Sequence, residues 1–377
     1  MTLSIPKETH PGESRAAIVP EHVGKLVKLG ARVEVETGLG IASGRADDAY
    51  TAAGAAVISD RKALLAAGDL VVQLRKPSLD DVALLRSGSV LACHLDPFQS
   101  PELIKKLASQ GVSAISMELI PRSTKAQKMD VLSSQASLAG YAAVVLAAEQ
   151  SDKIFPMMMT PAGTISPVKV FIIGAGVAGL QAIATAKRLG AKVDAYDARP
   201  VVEEQVRSLG ARFVKIDVGE TGQTKDGYAK ALTDEQIQKQ RDAMRKVCAE
   251  SDVVITAAQV FGRRAPILLT ADMLDAMRPG SVVVDLSVEN GGNVAGVVAD
   301  QIADRKGVKI VGFTNLAGRV PAHASQMYSA NVVALIEEFW DRESNRFVLR
   351  LDDEIMRGCL VTHEGKIVNE KLAGTLA

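Results

Sequence analysis

The residues best suited to chemistry in this 377-residue chain are three glycines and one acid that share a single stretch. Gly174, Gly176 and Gly179 form a G-x-G-x-x-G pattern, and Asp197 follows downstream. Gly174 permits a tight turn, Gly176 lets a pyrophosphate approach the backbone, and Gly179 lets a helix pack closely on a strand. Free N–H groups at the start of that helix, together with its dipole, would hold the anion. The pattern therefore predicts a dinucleotide-binding turn.

Asp197 indicates which dinucleotide is bound. A carboxylate at the tip of the second strand accepts hydrogen bonds from both ribose hydroxyls and repels a 2′-phosphate, which favours NAD(H) over NADP(H). Arg199 tempers this preference, because an arginine two residues further on could serve a phosphate. We therefore assign cofactor binding to the turn and the strand tip, that is, to Gly174, Gly176, Val177, Ala178, Gly179, Asp197, Ala198 and Arg199.

The surrounding sequence supplies the elements that this turn needs. Val168–Ile173 is a run typical of a buried parallel strand, Leu180–Leu189 is helical, and Lys192–Tyr196 is a second strand. Strands and helices also alternate in the first third of the chain, and a long helix at Ser325–Trp340 returns the chain there. We predict an α/β fold of two Rossmann-like domains, doubly wound parallel sheets with a cleft between them. The predicted domains are residues 1–133 plus 321–377, and residues 134–320.

Composition excludes several classes of protein. The 44 basic and 44 acidic residues cancel, and no basic stripe with interleaved aromatics points to nucleic acid. Cys93, Cys248 and Cys359 lack the spacing of a metal site or a disulfide framework, so we expect no metal. The N-terminus has no apolar signal core, and Leu138–Ala148 is shorter than the roughly 18–20 residues of a membrane span. We expect a soluble, cytoplasmic chain.

The helical pattern at Ser133–Gln150 is apolar almost all round, which is typical of a buried helix. A linker, Phe155–Pro167, follows it and enters the glycine-rich unit. We expect the three methionines of this linker to fill core space, as flexible apolar side chains do.

A polar segment, Pro121–Ser133, directly precedes that helix. Ligands of two-domain α/β proteins bind in the domain cleft, and Gln127 and Ser133 could hydrogen-bond a carboxamide there. An ordinary polar surface loop is the alternative interpretation. The residues that we select in this segment are Arg122, Gln127, Asp130 and Ser133.

Four segments together resemble one family: KETHPGESR near the start, Arg122–Tyr141, Gly174–Leu189 and Asp285–Gly292. Over essentially its whole length the chain is similar to domain I, the NAD(H)-binding component, of proton-translocating nicotinamide nucleotide transhydrogenase of the Si-specific type. Alanine dehydrogenase is the nearest relative of that family in fold. The resemblance implies that the loop carrying Arg122, Gln127, Asp130 and Ser133 holds the nicotinamide of NADH against that of NADP(H) on a partner subunit.

The resemblance also assigns roles beyond that loop. It implies that Val218–Lys230 is a mobile flap whose Tyr228 closes over the nucleotide. Lys125 departs from the arginine that relatives carry, which keeps the charge but loses the bidentate fork. Further positions that the resemblance places along the cofactor pocket are Gly227, Gln240 and Gln259.

The same resemblance implies partners. They are an NADP(H)-binding β subunit, a membrane α2 subunit that takes part in proton translocation, and a second copy of this chain in a homodimer. The chain would then lie in the cytoplasm, peripheral to the inner membrane through its partners. No nucleic acid partner is expected.

Oxidation of an amino acid needs a proton acceptor, and the resemblance places the catalytic lysine of alanine dehydrogenase at Arg75. Arginine, whose pKa lies above roughly 12, cannot act as a base near neutrality. A substrate-binding acid of the dehydrogenase falls at Glu289, where aspartate is expected. His94 and Arg15 do persist, although a lone histidine of this kind is more often structural and a salt bridge would also explain Arg15.

Hydride transfer between two nicotinamides needs contact, orientation and exclusion of water, but no proton acceptor. Asp130 and Asp197 are therefore interpreted as orienting groups. The resemblance favours the soluble NAD(H)-binding subunit of a transhydrogenase, catalytic only with its partners and moving hydride from NADH to NADP⁺. An NAD-dependent alanine or other amino-acid dehydrogenase is the alternative, and a catalytically silent NAD-binding regulator is a third hypothesis.

Overall fold

The computed structural model describes residues 1–217, 219, 233–259 and 264–372. The strands, in chain order, are β1 Thr2–Ile5, β2 Arg32–Glu36, β3 Ala56–Ile58, β4 Leu70–Val72, β5 Val90–Cys93, β6 Ser113–Ser116, β7 Met158–Thr160, β8 Gly163–Ile165, β9 Lys169–Ile173, β10 Lys192–Tyr196, β11 Arg212–Phe213, β12 Val253–Thr256, β13 Val282–Asp285, β14 Ile302–Arg305, β15 Val308–Val311, β16 Trp340–Asp341, β17 Arg346–Phe347, β18 Leu360–His363 and β19 Lys366–Ile367.

The α-helices lie between these strands. In chain order they are α1 Pro20–Lys28, α2 Asp47–Ala52, α3 Arg61–Ala67, α4 Leu79–Leu84, α5 Pro101–Ser109, α6 Val131–Gln150, α7 Val177–Arg188, α8 Glu203–Ser208, α9 Asp234–Glu250, α10 Ala271–Asp275, α11 Pro321–Glu338 and α12 Glu354–Cys359.

The chain divides into two compact units. Unit 1 comprises Met1–Gln135 and Gly318–Ala377, and unit 2 comprises Ala136–Ala317. The sheet of unit 1 has the order β19-β18-β6-β5-β4-β1-β2-β3, in which the six strands from β6 to β3 run parallel. The strand order reverses between β1 and β4, which makes the sheet doubly wound.

The sheet of unit 2 has the order β11-β10-β9-β12-β13-β15-β14, with only β14 antiparallel to its neighbour among the described strands. Its order reverses between β9 and β12, so the layout repeats that of unit 1. Both faces of β9 are covered, since Val170 and Ile172 enter one apolar cluster while Phe171 and Ile173 enter another. Burial of each such side chain stabilises the fold by about 1.5–3 kcal/mol. The predicted α/β class with doubly wound parallel sheets is confirmed.

Local signals explain where several helices begin. Thr233 and Gln236 form a capping box at the start of α9, with both reciprocal bonds present. Helix α11 begins at Pro321, ahead of the predicted Ser325, because proline is favoured in the first helical turn. Helix α7 begins at Val177, three residues ahead of the prediction, because its first turn starts directly from the glycine turn.

Helix α6 is long and apolar enough to cross a membrane by length and composition alone. Its apolarity has an explanation inside the protein, since Ala143, Val144 and Ala147 are buried in the core of unit 2. The segment after it was predicted wrongly as a linker with core methionines. It forms the hairpin β7–β8, and Met157 and Met159 are 61% and 77% exposed.

Candidate functional site

The glycine turn follows β9, at the carboxyl edge of the unit 2 sheet. Gly174 has φ +97°, and a Cβ atom there would lie 2.9 Å from the carbonyl carbon of Ala257. A Cβ atom at Gly179 would lie 1.8 Å from the carbonyl oxygen of Gly174. At Gly176 the nearest atom would be Nη2 of Arg199, at 3.9 Å. Packing thus requires glycine at positions 174 and 179. Gly176 leaves the backbone open, as a bound pyrophosphate requires.

Helix α7 presents its first turn at this position. Its N-cap, Gly176, has no side chain to satisfy the first N–H groups, which belong to Val177, Ala178 and Gly179. Helix α6 approaches this turn so closely that a Cβ atom at Gly140 would lie 2.1 Å from the carbonyl oxygen of Ala178. Uncapped N–H groups and the helix dipole favour an anion here, so these residues fit the pyrophosphate of a dinucleotide.

Asp197 lies directly after β10, and its carboxylate is held by four donors. One oxygen accepts from Nε and the backbone N–H of Arg199, at 2.9 and 2.8 Å. The other accepts from the backbone N–H of Ala175 and from Nη2 of Arg199, both at 2.8 Å. A carboxylate has about four acceptor sites. All four positions are therefore occupied, three of them by Arg199, which sequence reasoning did not foresee. Ala198 links the two residues.

The remaining predicted pocket residues are only partly described. Gln240 is buried on α9, and Gln259 is exposed, with Nε2 donating to the carbonyl oxygen of Leu286 at 3.3 Å. Gly227 and Tyr228, with most of the predicted flap, lie outside the described residues.

Sequence reasoning missed a buried carboxylate at the tip of β13. Asp285 is 0% exposed and accepts from Ser287 N at 2.8 Å, Asn293 N at 2.7 Å and Val294 N at 3.1 Å. Thr256 Oγ1 donates to it at 3.1 Å. Burial raises the pKa of Asp285, and its four hydrogen bonds oppose that shift. The signal was available, because an acid that ends a fully apolar strand needs buried donors.

The predicted nicotinamide loop belongs to unit 1. Asp130 accepts from the backbone N–H of Ser133 at 2.8 Å and from its Oγ at 2.6 Å, which ties the loop to the first turn of α6. Arg122 and Gln127 are exposed. Lys125 Nζ contacts Asp353 at 2.8 Å and also pairs with Glu338, so this lysine anchors the loop. A cavity of about 410 Å³ is lined by Thr124, Lys125, Gln127, Lys128, Met129, Ala334, Glu337 and Glu338.

A second set of charged groups lies after β1 and β4 in unit 1. Glu13, whose side chain is 0% exposed, accepts hydrogen bonds from Nε and Nη2 of Arg15 at 2.7 and 2.6 Å. Arg75 Nε donates to the same carboxylate at 2.8 Å. Burial alone would raise the pKa of Glu13, but the two arginines outweigh it and lower the pKa to about 2. Both arginines therefore already have a carboxylate partner from within the chain.

The neighbouring histidine is a poor base. Burial, and then the charges of Arg15 and Arg75, lower the pKa of His94 to about 3. Glu8 accepts from the backbone N–H groups of Leu74 and Arg75 at 2.6 and 3.1 Å. Burial raises the pKa of Glu8 to about 7. No group of three or more His, Cys, Asp or Glu residues is placed to hold a metal ion in the part of the chain that the structure describes.

Two family models match the chain. The model described as "Alanine dehydrogenase/PNT, N-terminal domain" matches residues 4–139, and the corresponding C-terminal domain model matches residues 143–370. Among curated relatives, the first section of the NAD(P) transhydrogenase alpha subunit of Rhodospirillum rubrum is 45% identical, covering 99% of both chains. NAD(P) transhydrogenase subunit alpha of Cereibacter sphaeroides is 41% identical, covering 97% of this chain and 71% of its own. Alanine dehydrogenase of Bacillus subtilis is 28% identical over 100% of this chain and 95% of its own.

Solved structures agree with this pattern. A transhydrogenase from Sinorhizobium meliloti superposes with a TM-score of 0.86 at 42% identity, covering 98% of this chain and 100% of its own. An L-alanine dehydrogenase reaches a TM-score of 0.82 at 26% identity, covering 100% of both chains. The fold is therefore common to both, while sequence identity separates them.

Proposed function

Because the chain belongs to the alanine dehydrogenase/PNT family, we propose that it binds NAD(H) and passes hydride from NADH to NADP⁺ held on a partner subunit. The observation that carries this proposal is the glycine turn after β9. There, Gly176 leaves backbone open beside an uncapped helix start. NADH, when bound, supplies the hydride.

Sequence identity favours this function over that of alanine dehydrogenase. Identity is 45% to a transhydrogenase subunit and 28% to an alanine dehydrogenase, each over nearly the whole chain. Chemistry points the same way, since Arg75 replaces a base and His94, with its pKa near 3, accepts a proton poorly near neutrality. Arg15 and Arg75 also already hold Glu13.

We assign the orienting roles as follows. The turn of Gly174, Gly176 and Gly179 receives the pyrophosphate, and Asp197 with Arg199 receives the adenosine ribose. Arg122, Gln127, Asp130 and Ser133 hold the nicotinamide, and Asp130 supports this by fixing Ser133. Further cofactor contacts are assigned to Val177, Ala178, Ala198, Gly227, Tyr228, Gln240 and Gln259.

The partners in this proposal are an NADP(H)-binding β subunit and a membrane α2 subunit, so that the protein lies in the cytoplasm at the inner membrane. We also propose a homodimer. The exposed methionines of the β7–β8 hairpin support this, because an isolated two-stranded hairpin is only marginally stable in water. A partner surface would cover Met157 and Met159.

The test is reconstitution of the full chain with an NADP-binding domain from a related transhydrogenase. NADH should be oxidised at the expense of NADP⁺, whereas pyruvate with ammonia should give no NADH oxidation. Clear turnover with pyruvate and ammonia would instead establish an amino-acid dehydrogenase, and NADH binding without transfer would indicate a silent regulator.

Gln127→Asn refines the test, because shortening the side chain withdraws its amide from the nicotinamide. Transfer should slow by roughly tenfold or more, while NADH affinity stays within about twofold of that of the unaltered chain. Gln99→Asn, the same change at another exposed glutamine of unit 1, is the matched control and should leave both quantities unchanged. Collapse of NADH affinity in Gln127→Asn would make Gln127 a binding residue rather than a ring positioner.

A further inference from the structure

We infer that Asp285 is a positioning residue for the nicotinamide half of the cofactor, an inference that rests on the proposed function. Its buried carboxylate joins the two loops that follow β12 and β13. Sheet topology and the contacts of Asp285 and Asn293, both of which are fully buried, support this role.

Topology divides the cofactor site into two halves. In a doubly wound sheet, a dinucleotide lies across the carboxyl ends of the strands at the point where the strand order reverses. Here the order reverses between β9 and β12. Asp197, which suits the adenosine ribose, follows β10 on one side of that point. The nicotinamide half must therefore lie towards the tips of β12 and β13, beyond Thr256 and Asp285.

Asp285 is shared between these two tips. One carboxylate oxygen accepts from Thr256 Oγ1, the last residue of β12, and from Ser287 N in its own loop. The other oxygen accepts from Asn293 N and Val294 N, which closes the loop after β13 into a ring. No room remains for a larger residue there, because a Cβ atom at Gly292 would lie 3.0 Å from Asp285 Oδ2.

Asn293 extends this connection to the loop after β12. Its Nδ2 donates to the carbonyl oxygens of Ala258 and Pro266, at 2.9 and 2.8 Å, and its Oδ1 accepts from Ala258 N at 3.2 Å. Ser287 Oγ also donates to Ala258 O at 3.2 Å. The backbone at Ala258 is thus held from both sides by groups that Asp285 orients. Ala257, its neighbour, faces the glycine turn, since its carbonyl carbon would meet a Cβ atom at Gly174.

These contacts predict that a change at Asp285 weakens binding of the nicotinamide half of the cofactor and leaves binding of the adenosine half unchanged. Asp285→Asn keeps the shape but replaces one acceptor oxygen with an NH₂ group, which then faces backbone N–H donors. The loops at Ala258 and Ser287 should lose their fixed arrangement, while the glycine turn and Asp197 keep theirs. NADH reaches both halves, whereas ADP reaches only the adenosine and pyrophosphate half.

The experiment is titration of the full chain with NADH and with ADP, by calorimetry. In Asp285→Asn the Kd for NADH should rise by roughly tenfold or more, the range for removing hydrogen bonds to a charged group. The Kd for ADP should stay within about twofold, which also shows that the variant is folded. Thr256→Val removes a single donor, so the Kd for NADH should rise by roughly threefold while the Kd for ADP stays the same.

The controls separate failure of this inference from failure of the proposed function. Asp275→Asn makes the same chemical change at a carboxylate that pairs with Arg305 and Lys306, and should change neither affinity. If the unaltered chain does not bind NADH, the proposed function fails. If it does bind NADH, an equal loss of NADH and ADP affinity in both Asp285→Asn and Thr256→Val would show a merely structural role. Unchanged NADH affinity in both would overturn the inference altogether.

Discussion

The two sheets of this protein share one strand layout, but different residues follow the strands at the point where the strand order reverses. They are glycines in unit 2 and charged residues in unit 1. In unit 1 the order reverses between β1 and β4, and in unit 2 it reverses between β9 and β12. Such a reversal opens a crevice at the carboxyl ends of the strands, where α/β proteins bind ligands. In unit 2, β9 is followed by Gly174, Gly176 and Gly179. In unit 1, β1 is followed by Glu13 and Arg15, and β4 is followed by Arg75.

Charge by itself therefore does not make a binding site. The two arginines of unit 1 could grip a small carboxylate, yet Glu13 already supplies one from within the chain. At the glycine turn of unit 2, the first N–H groups of α7 receive no side-chain cap, and an added Cβ atom at Gly176 would meet nothing closer than 3.9 Å. We interpret the first crevice as a source of stability and the second as a source of affinity.

Glu13→Gln should have the largest effect on stability. Removing the charge takes away the buried carboxylate that Arg15 and Arg75 both contact, which should lower the free energy of unfolding by about 3–5 kcal/mol. The measurement is chemical denaturation, and NADH affinity under native conditions should not change. Glu370→Gln, at an exposed position of the same unit, should stay within about 0.5 kcal/mol. If Glu13→Gln weakened NADH binding without lowering stability, the charged crevice of Glu13, Arg15 and Arg75 would belong to the binding site.

Glu8, which lies in the same unit as Glu13, should make stability depend on pH. Its pKa rises on folding from 4.5 to about 7, so the protonated carboxyl favours the folded state. That contribution is complete below pH 4.5 and is lost as the pH rises towards about 7. Its size is on the order of 3 kcal/mol, from 1.36 kcal/mol per pKa unit.

The measurement is the free energy of unfolding between pH 5 and pH 8, compared between the unaltered chain and Glu8→Gln. The difference between the two curves isolates Glu8, because the depressed pKa values of His22 and His94 make stability change in the opposite sense in both proteins. The advantage of the unaltered chain should shrink steadily as the pH rises. A difference that does not vary with pH would contradict a Glu8 that titrates near neutrality.

Features set by residues close together in sequence could be predicted, whereas contacts that depend on tertiary structure could not. The strand, glycine turn, helix and acid around Gly174 and Asp197 follow from short-range rules, and the structure has them in that order. The closure of Asp197 by Arg199 and the partnership of Glu13 with Arg75 could not be predicted. Both depend on side-chain directions, and Glu13 lies far from Arg75 in sequence. The hairpin after α6 was missed for another reason, since its exposed methionines carry no alternating pattern.

Gly176→Ala should have the smallest effect in free energy, and it tests the glycine turn of unit 2 most directly. The backbone of Gly176 has φ −79° and ψ −165°, an extended conformation that alanine adopts without strain. An added Cβ atom would meet no atom closer than Nη2 of Arg199 at 3.9 Å, so the free energy of unfolding should change by less than about 0.5 kcal/mol. The methyl group would nevertheless occupy the path of the pyrophosphate. NADH affinity should therefore fall by roughly tenfold, or about 1.4 kcal/mol.

Gly24→Ala is the matched control for that last change. Gly24 lies within α1, where nothing surrounds an added Cβ atom, so alanine should raise stability by about 0.5–1 kcal/mol through its helix propensity. It should leave NADH affinity alone. The two alanines would then separate affinity from stability, because one would alter affinity without stability and the other stability without affinity. Equal NADH affinity in both variants would mean that the pyrophosphate does not approach Gly176, and the assignment of the glycine turn would fall.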